Sequence, residues 1–335
     1  MTRDFALSGA STLGAWLQDP AGAPLVEEIA TRSGMDARAL AMLRRVSLQR
    51  LVELSGRPDA QEIVAQLVAR VRDARGPSGA EVADPAWSER ISVSRFDGET
   101  VVVTGAASGI GRAVASRIAR EGGTVVAVDL AEDRLLELAE GLPNVRAVRA
   151  DITTERDVQR IVDAADGAVH GLANVAGVLD DFSPLHEMED AVMQRVFEVN
   201  VFGLMRLSRA CLPLMLAAGR GSIVNVASEA ALRGSSAGAA YTASKHAVIG
   251  VTRSAAFMYE PAGIRVNAVA PGGTLTGMRP TRANEFGQTR VQSHASSLPI
   301  AVPEAVAAPI TYLLSHDAIN VNGAVLPADG GESVF

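Results

Sequence analysis

The sequence is almost empty of lysine: among 31 Lys and Arg residues, only Lys245 is a lysine. It has one cysteine, Cys211, and aromatic residues make up 4% of its 335 positions. A lone cysteine excludes an internal disulfide and supplies no zinc-binding pair. The five histidines, His170, His186, His246, His294 and His316, share no metal-ligand spacing, so no metal is expected. Basic charge is scarce as well. A formal net charge of −7 argues against a nucleic-acid-binding face, which needs cations to neutralise phosphates. The opening residues, MTRDFALSGASTLG, lack the apolar core of a signal peptide, and no apolar run reads as long enough to span a bilayer. A cytoplasmic protein with neither a nucleic-acid nor a membrane partner is expected.

What is present is an ordinary globular balance, 48% hydrophobic and 21% charged, arranged in two unequal parts. Residues 1–75 read as a small all-α module. Ser11 stands where it would cap a helix carrying Leu13, Trp16 and Leu17, and Gly34, Gly56 and Gly76 fall where helix C-caps are expected. From Asp59 to Arg75, Ile63, Val64, Leu67, Val68 and Val71 share one helical face. Residues 76–96, beginning GPSGAEVADPAWSER, read as a linker. Residues 97–335 change character. Apolar, valine-rich runs at Thr100–Thr104, Thr124–Asp129, Val145–Ala150, Gly171–Val175, Ser222–Val226, Arg265–Val269 and Ala324–Pro327 are mostly separated by amphipathic helical stretches. Continuous apolar strands followed by helices predict a parallel sheet covered on both faces. Such a doubly wound α/β domain binds ligands at the carboxyl ends of its strands.

The first of these strands runs into Gly105-Ala-Ala-Ser108-Gly109-Ile110-Gly111 and then a helix. Glycines there allow a tight turn and close backbone approach to a pyrophosphate, and the helix N-terminus supplies amides and a favourable dipole. The second strand ends in Asp129, 18 residues after Gly111. A carboxylate at that point suits the ribose hydroxyls of NAD and repels a 2′-phosphate, and Ser108, Leu130 and Ala131 offer no cation for NADP. The decisive pattern is Tyr241-Thr-Ala-Ser-Lys245. A spacing of four puts both side chains on one helix face. With three tyrosines and one lysine, that placement is a coincidence of about one in a hundred. A free tyrosine titrates near pH 10, so acid/base work near neutrality needs a shift of roughly three units, about 4 kcal/mol. A neighbouring ammonium has the right sign to favour the phenolate. Ser228 ends the strand SIVNVA thirteen residues before Tyr241, at the edge where reacting groups belong.

With these motifs in this order, residues 97–335 resemble the short-chain dehydrogenase/reductase family over their whole length. TGAASGIG (104–111) matches its cofactor loop, and Asp151-Ile152 matches the pair that contacts adenine. Asn174-Val-Ala176-Gly177 resembles the NNAG element, with Val175 in place of the second asparagine. Asn200, in EVNVFG, falls where the family's catalytic asparagine lies. Pro271-Gly272, followed by Thr274 and Thr276, resembles the stretch beside the nicotinamide carboxamide, and Ala328-Asp-Gly-Gly331 the C-terminal signature. The resemblance implies a Rossmann-type, mainly parallel seven-stranded sheet and an NAD-dependent oxidoreductase acting on a small-molecule secondary alcohol or ketone. It implies a catalytic set of Asn200, Ser228, Tyr241 and Lys245. Tyr241 would exchange the proton with the substrate. Lys245 would lower its pKa and hold the nicotinamide ribose, Ser228 would bond the substrate oxygen, and Asn200 would position a relay water. It further implies a homo-oligomer, most often a tetramer built from the Asn200 and Tyr241 helices.

Other readings compete. Gly234-Ser-Ser236-Ala-Gly238 formally matches a hydrolase GxSxG, but a nucleophile elbow must follow a buried strand directly, and Glu229–Arg233 make a poor strand. A non-catalytic nucleotide-binding protein would not need all four catalytic residue types. Within the family, a 3-ketoacyl thioester reductase is the main rival, its usual NADPH preference conflicting with Asp129. The lid stretch, Gly273–Val302, mixes Leu275, Met278, Phe286, Val291 and Leu298 with Arg279, Arg282 and Arg290. That mixture suits an alicyclic, terpenoid or steroid alcohol, with the arginines read as solvated lid charges or as anion contacts. Glu229 stands beside Ser228 facing substrate or solvent.

Overall fold

Trp16 organises the first of two structural units: it is fully buried and donates its indole N–H to the Ser8 carbonyl at 3.1 Å. The computed structural model describes residues 7–55, 57–75, 87–280, 282–294 and 300–334. One unit comprises residues 1–88 with 296–301, the other residues 89–295 with 302–335. Gly56, Gly76 and Leu298 lie outside the described residues. The first unit holds helices α1 (Leu13–Gln18), α2 (Ala23–Arg32), α3 (Ala37–Met42), α4 (Leu48–Leu54) and α5 (Ala60–Arg75). Thr12, not Ser11, caps α1, accepting the Ala15 N–H at 3.1 Å, while the Ser11 hydroxyl is buried and accepts the Ser8 N–H. Asp36 and Ser47 cap α3 and α4 in the same way. Gly34 follows α2 with a φ of +69°, the left-handed conformation that ends helices. Val64, Leu67 and Val71 of α5 are buried, the last two in a core with Trp16, Leu13, Val26 and Leu40. In the same unit the Ile300 N–H donates to the Met42 carbonyl at 2.8 Å.

The expected linker, residues 76–96, straddles the division. Residues 76–86 lie outside the described residues. Residues 89–96 belong to the second unit, where Phe96 is buried and Glu89 pairs with Arg117 and Arg120.

The second unit is a seven-stranded sheet in which every pair is parallel. Its strands are β1 (Thr100–Thr104), β2 (Thr124–Asp129), β3 (Val145–Arg149), β4 (Gly171–Asn174), β5 (Gly221–Val226), β6 (Ile264–Pro271) and β7 (Val325–Ala328), in the order β3-β2-β1-β4-β5-β6-β7. Its helices are α6 (Gly109–Arg120), α7 (Glu132–Glu140), α8 (Glu155–Ala164), α9 (Asp190–Phe197), α10 (Leu204–Ala218), α11 (Ala239–Tyr259), α12 (Glu285–His294) and α13 (Pro303–Leu314). Covering both faces explains the apolar strands: Val102, Val126 and Leu172 pack against Ile161, Leu207 and Met215 of α8 and α10. The strand order reverses between β1 and β4, which opens a crevice at their carboxyl ends.

One expectation is corrected. Asp190–Ala218, running through α9, a π-helical turn (Glu198–Gly203) and α10, is a 29-residue helical stretch long and apolar enough to cross a membrane by length and composition. Its apolar content has another use: Leu207, Cys211 and Met215 are fully buried in the core beneath the sheet.

Candidate active site

The crevice begins with backbone packed too closely for side chains. Gly105 and Gly109 take φ of +70° and +52°, and a Cβ on Gly111 would lie 2.1 Å from the Gly105 carbonyl. α6 opens there behind Ser108, whose hydroxyl makes no cap bond. Such a cradle, made of glycine and a helix N-terminus, fits a dinucleotide pyrophosphate. Thr276, far along the chain, comes to the same place, its methyl 3.1 Å from where a Gly109 Cβ would stand. Asp129 braces the loop: its carboxylate accepts the N–H groups of Ala107 at 3.0 Å, Leu130 at 2.7 Å and Ala131 at 3.1 Å. Thr104 was not singled out from the sequence, yet its hydroxyl accepts both the Val175 and Ala176 N–H groups at 3.0 Å.

The other expected cofactor residues divide between the crevice and the framework. The Asp151 carboxylate accepts the backbone N–H and hydroxyl of Thr153, and Ile152 packs against Gly203. The Asn174 amide donates to Asn225 at 2.9 Å and Ser208 at 3.1 Å, tying β4 to β5 and α10, while its Oδ1 is buried without a partner among the described residues. Beyond β6, the Thr274 hydroxyl donates to the Gly272 carbonyl at 3.0 Å. Gly272 is packed against Asp329 and Glu332, with no room for a Cβ.

Ser228, Tyr241, Lys245 and Asn200 meet beside this crevice. The Asn200 side chain lies in the π-helical turn, a local unwinding often found at functional sites. It accepts the Val178 N–H at 2.8 Å and donates to the Val178 carbonyl and the Ser244 hydroxyl. A Cβ on Gly177 would lie 3.2 Å from the Asn200 Oδ1 and 3.5 Å from the Lys245 Nζ. The Lys245 ammonium donates to the Val226 carbonyl at 2.8 Å and stands 5.6 Å from the centre of the Tyr241 ring. Burial pushes the Tyr241 phenol up to about 12, against the pull of the Ser228 hydroxyl, and Asp180 and Glu229 push the same way. Burial also brings Lys245 down to about 8. The expected depression of the phenol is therefore absent here, because desolvation outweighs the stabilising neighbours.

Glu229 faces neither substrate nor open solvent alone. It accepts from the Arg233 guanidinium at 2.8 Å, which also reaches Glu332 at 2.5 Å. Burial and Glu332 push Glu229 up to about 7. Gly234–Gly238 form a loop after a 3-10 turn (Glu229–Ala231), with none of the strand that a hydrolase elbow requires. At the N-terminal end of α11, a cavity of about 340 Å³ is lined by Phe182, Pro184, Ala237, Phe286, Val291 and Arg290, among others, and by none of Asn200, Ser228, Tyr241 and Lys245. Of the expected lid residues it includes Phe286, Val291 and Arg290, and not Leu275, Met278, Arg279 or Arg282.

Comparison with known proteins agrees with this geometry. The family model described as short chain dehydrogenase matches residues 99–285. The chain belongs to the short-chain dehydrogenase/reductase family. A 3beta-hydroxysteroid dehydrogenase 2 of Eggerthella lenta is 37% identical over 251 residues, covering 71% of this chain and 96% of its own. A cis-4-hydroxycyclohexanecarboxylate dehydrogenase of Sinomonas cyclohexanicum is 40% identical over 245 residues, covering 70% and 97%. Among solved structures, an NAD(P)-dependent gluconate 5-dehydrogenase of Beutenbergia cavernae, with NADP at low occupancy, superposes with a TM-score of 0.64 at 34% identity, covering 72% of this chain and all of that one. This dehydrogenase is therefore an oxidoreductase of the alcohol/ketone kind with a nicotinamide cofactor, and its α1–α5 unit precedes the stretch that the family model matches.

Proposed function

We propose that the protein is an NAD(H)-dependent oxidoreductase that interconverts a secondary alcohol and a ketone, with Tyr241 as general acid/base. The observation that carries this reading is the meeting of Asn200, Ser228, Tyr241 and Lys245 beside a glycine cradle. A bound nicotinamide cofactor supplies or takes up the hydride. Gly105, Ser108, Gly109, Ile110 and Gly111 would hold its pyrophosphate, Asp129 a ribose, Asp151 and Ile152 the adenine. Ala176, Gly177, Pro271, Gly272, Thr274 and Thr276 would line the nicotinamide side. Tyr241 exchanges the proton with the substrate oxygen. The Ser228 hydroxyl bonds the same oxygen as charge develops on it. Lys245 places its charge near the phenol ring and holds the ribose, while Asn200, fixed at Val178, positions a relay water.

The preference for NAD rests on charge. Asp129 repels a 2′-phosphate, and Arg112 is committed elsewhere, to the Arg134 carbonyl and Glu137. The NADP in the Beutenbergia protein makes the test necessary: NADH and NADPH are titrated by fluorescence against the unmutated protein. Tighter binding of NADPH would overturn the preference.

The cavity at the N-terminal end of the helix that carries Tyr241, walled by Phe182, Pro184, Phe286 and Val291, favours a medium-sized apolar alcohol of alicyclic, terpenoid or steroid type. The named substrates of the Eggerthella and Sinomonas relatives agree with that class. A screen of secondary alcohols with NAD tests it, and turnover confined to polyols or acyl thioesters would refute it. We also infer a cytoplasmic homotetramer with the α1–α5 unit as a packing appendage; sedimentation as a monomer at micromolar concentration would remove the oligomer.

A further inference from the structure

Asp180 lies on the loop after β4 and is 3% exposed. No motif marks it. Its carboxylate lies at the N-terminus of α11, the helix that carries Tyr241 and Lys245. One oxygen accepts the Phe182 and Gly238 N–H groups, each at 3.2 Å, and the other accepts the N–H of Tyr241 itself at 2.9 Å. The helix cannot cap itself, because its N-cap residue is Gly238. The missing side chain makes the room: a Cβ on Gly238 would stand 2.5 Å from the Asp180 Oδ2. A helix start is normally satisfied by its own N-cap side chain. Here an anion from a segment some 60 residues earlier does it, at the residue that bears the phenol.

The far side of the same turn holds the lid. The Asn284 N–H, one residue before α12, donates to the Asp181 carbonyl at 2.6 Å. A Cβ on Gly287 of α12 would lie 1.7 Å from the Phe182 carbonyl, so only glycine permits that seating. Phe182 itself has a φ of +64°. A bulky residue in the left-handed region is rare and persists only where its surroundings over-determine it, commonly at functional sites. The surroundings are Gly238 on one side and Gly287 on the other.

We propose that Asp180 is a positioning residue for Tyr241, and that the Asp180–Ser183 turn couples the seating of the lid helix α12 to the catalytic helix α11. This rests on Tyr241 as the proton carrier. Losing the acceptor lets the first turn of α11 relax, and a displacement of about 1 Å at a reacting group costs on the order of a hundredfold in rate. Charge acts as well. The groups around the carboxylate are Asp181 on its own turn and Tyr241 on α11. Beyond the phenol stand Lys245 and Glu229, the latter with Arg233 and Glu332 behind it. The Asp180 anion raises the phenol's pKa, so its removal lowers it.

Three variants decide the matter. Asp180→Asn keeps one acceptor oxygen and sets an amide NH2 against either the Tyr241 N–H or the Phe182 and Gly238 N–H groups, so the three-way acceptor at the start of α11 is lost in either orientation. At saturating substrate its kcat should fall roughly ten- to a hundredfold, with the cofactor Kd unchanged and the inflection of the kcat/KM pH profile moved to lower pH. Gly287→Ala should lower kcat as well as raise substrate KM. If Asp180→Asn does not fold, judged by its thermal midpoint with cofactor present, Gly238→Ala replaces it; that variant keeps the charge but displaces the carboxylate, and the same loss of kcat is expected. A folded Asp180→Asn with parental kcat and an unmoved pH profile would overturn the proposal. So would a Gly238→Ala with parental kcat, and a Gly287→Ala that changes KM alone would overturn the coupling. Tyr241→Phe, measured alongside, separates the two readings. Activity there would remove the proton-carrier assignment itself, whereas inactivity there with a normal Asp180→Asn would remove only this inference.

Discussion

The Lys245 ammonium donates to the carbonyl of Val226, two residues before Ser228, while standing 5.6 Å from the centre of the Tyr241 ring. One cation therefore links the end of β5 to the proton carrier on α11. A compact ammonium can do both at once; a planar guanidinium cannot. Lys245→Arg should fold, yet lose about two orders of magnitude in kcat/KM. Steady-state kinetics on the folded variant check this, and near-normal turnover would mean that any cation suffices.

The same lysine should leave a mark on stability. Its folded pKa, about 8, lies below its unfolded value near 10.5, so between those values the unfolded chain holds more protons and stability rises with pH. Tyr241 acts oppositely: its folded value near 12 lies above the unfolded 10, so its contribution is lost as pH rises from 10 toward 12. The Tm difference between the parent and Lys245→Met, without cofactor, should grow in the parent's favour from pH 8 to 10. A flat difference would mean that the ammonium is not desolvated.

Glu229, Arg233 and Glu332 set up a second titration. Glu229 is raised from 4.5 to about 7, mainly by burial and then by Glu332. A raised carboxyl contributes stability below its unfolded pKa that is lost as pH climbs through the folded one. The parent should therefore lose Tm between pH 5 and 8 relative to Glu332→Gln, in which Glu229 keeps Arg233 to itself. Arg233→Ala leaves two carboxylates facing each other and should cost about 2 kcal/mol, more at pH 8 than at pH 5. Chemical denaturation at both pH values measures it.

Gly111 offers a steric test of the cradle. An added Cβ would meet the Gly105 carbonyl at 2.1 Å, and backbone cannot step aside as a flexible side chain can. Gly111→Ala should destabilise the protein by about 1–3 kcal/mol and weaken NADH binding well over tenfold. Asp129→Ala should weaken NADH and narrow its margin over NADPH, while loosening the loop that Ala107 helps to hold. Fluorescence titration reads both.

Much of this was legible in the chain itself, for a physical reason. Strands buried on both faces must be apolar throughout, so the inner five stand out, and the edge strands β3 and β7, less buried, still show as short valine-bearing runs; boundaries are off by a residue or so except where β6 runs on to Pro271. Tyr241 and Lys245 are legible because a helix fixes the meaning of a spacing of four. Asp180 was not, since its partners Gly238 and Tyr241 lie 58 and 61 residues away and nothing local announces them. The one trace was a long helix opening on AGAAY with no capping side chain of its own. For Asn174 the motif gives its place on β4 but not the direction of its amide, which Asn225 and Ser208 decide.

The bond between Ile300 and Met42 has a consequence for anyone wishing to divide the protein. A module joined end to end can be removed with a single cut at the junction. This one takes in residues 296–301 besides residues 1–88, and the Ile300 N–H bonds the Met42 carbonyl. Trimming away residues 1–88 would leave the Ile300 amide without its acceptor. Removing residues 1–88 therefore takes away only part of that unit, since residues 296–301 belong to it as well.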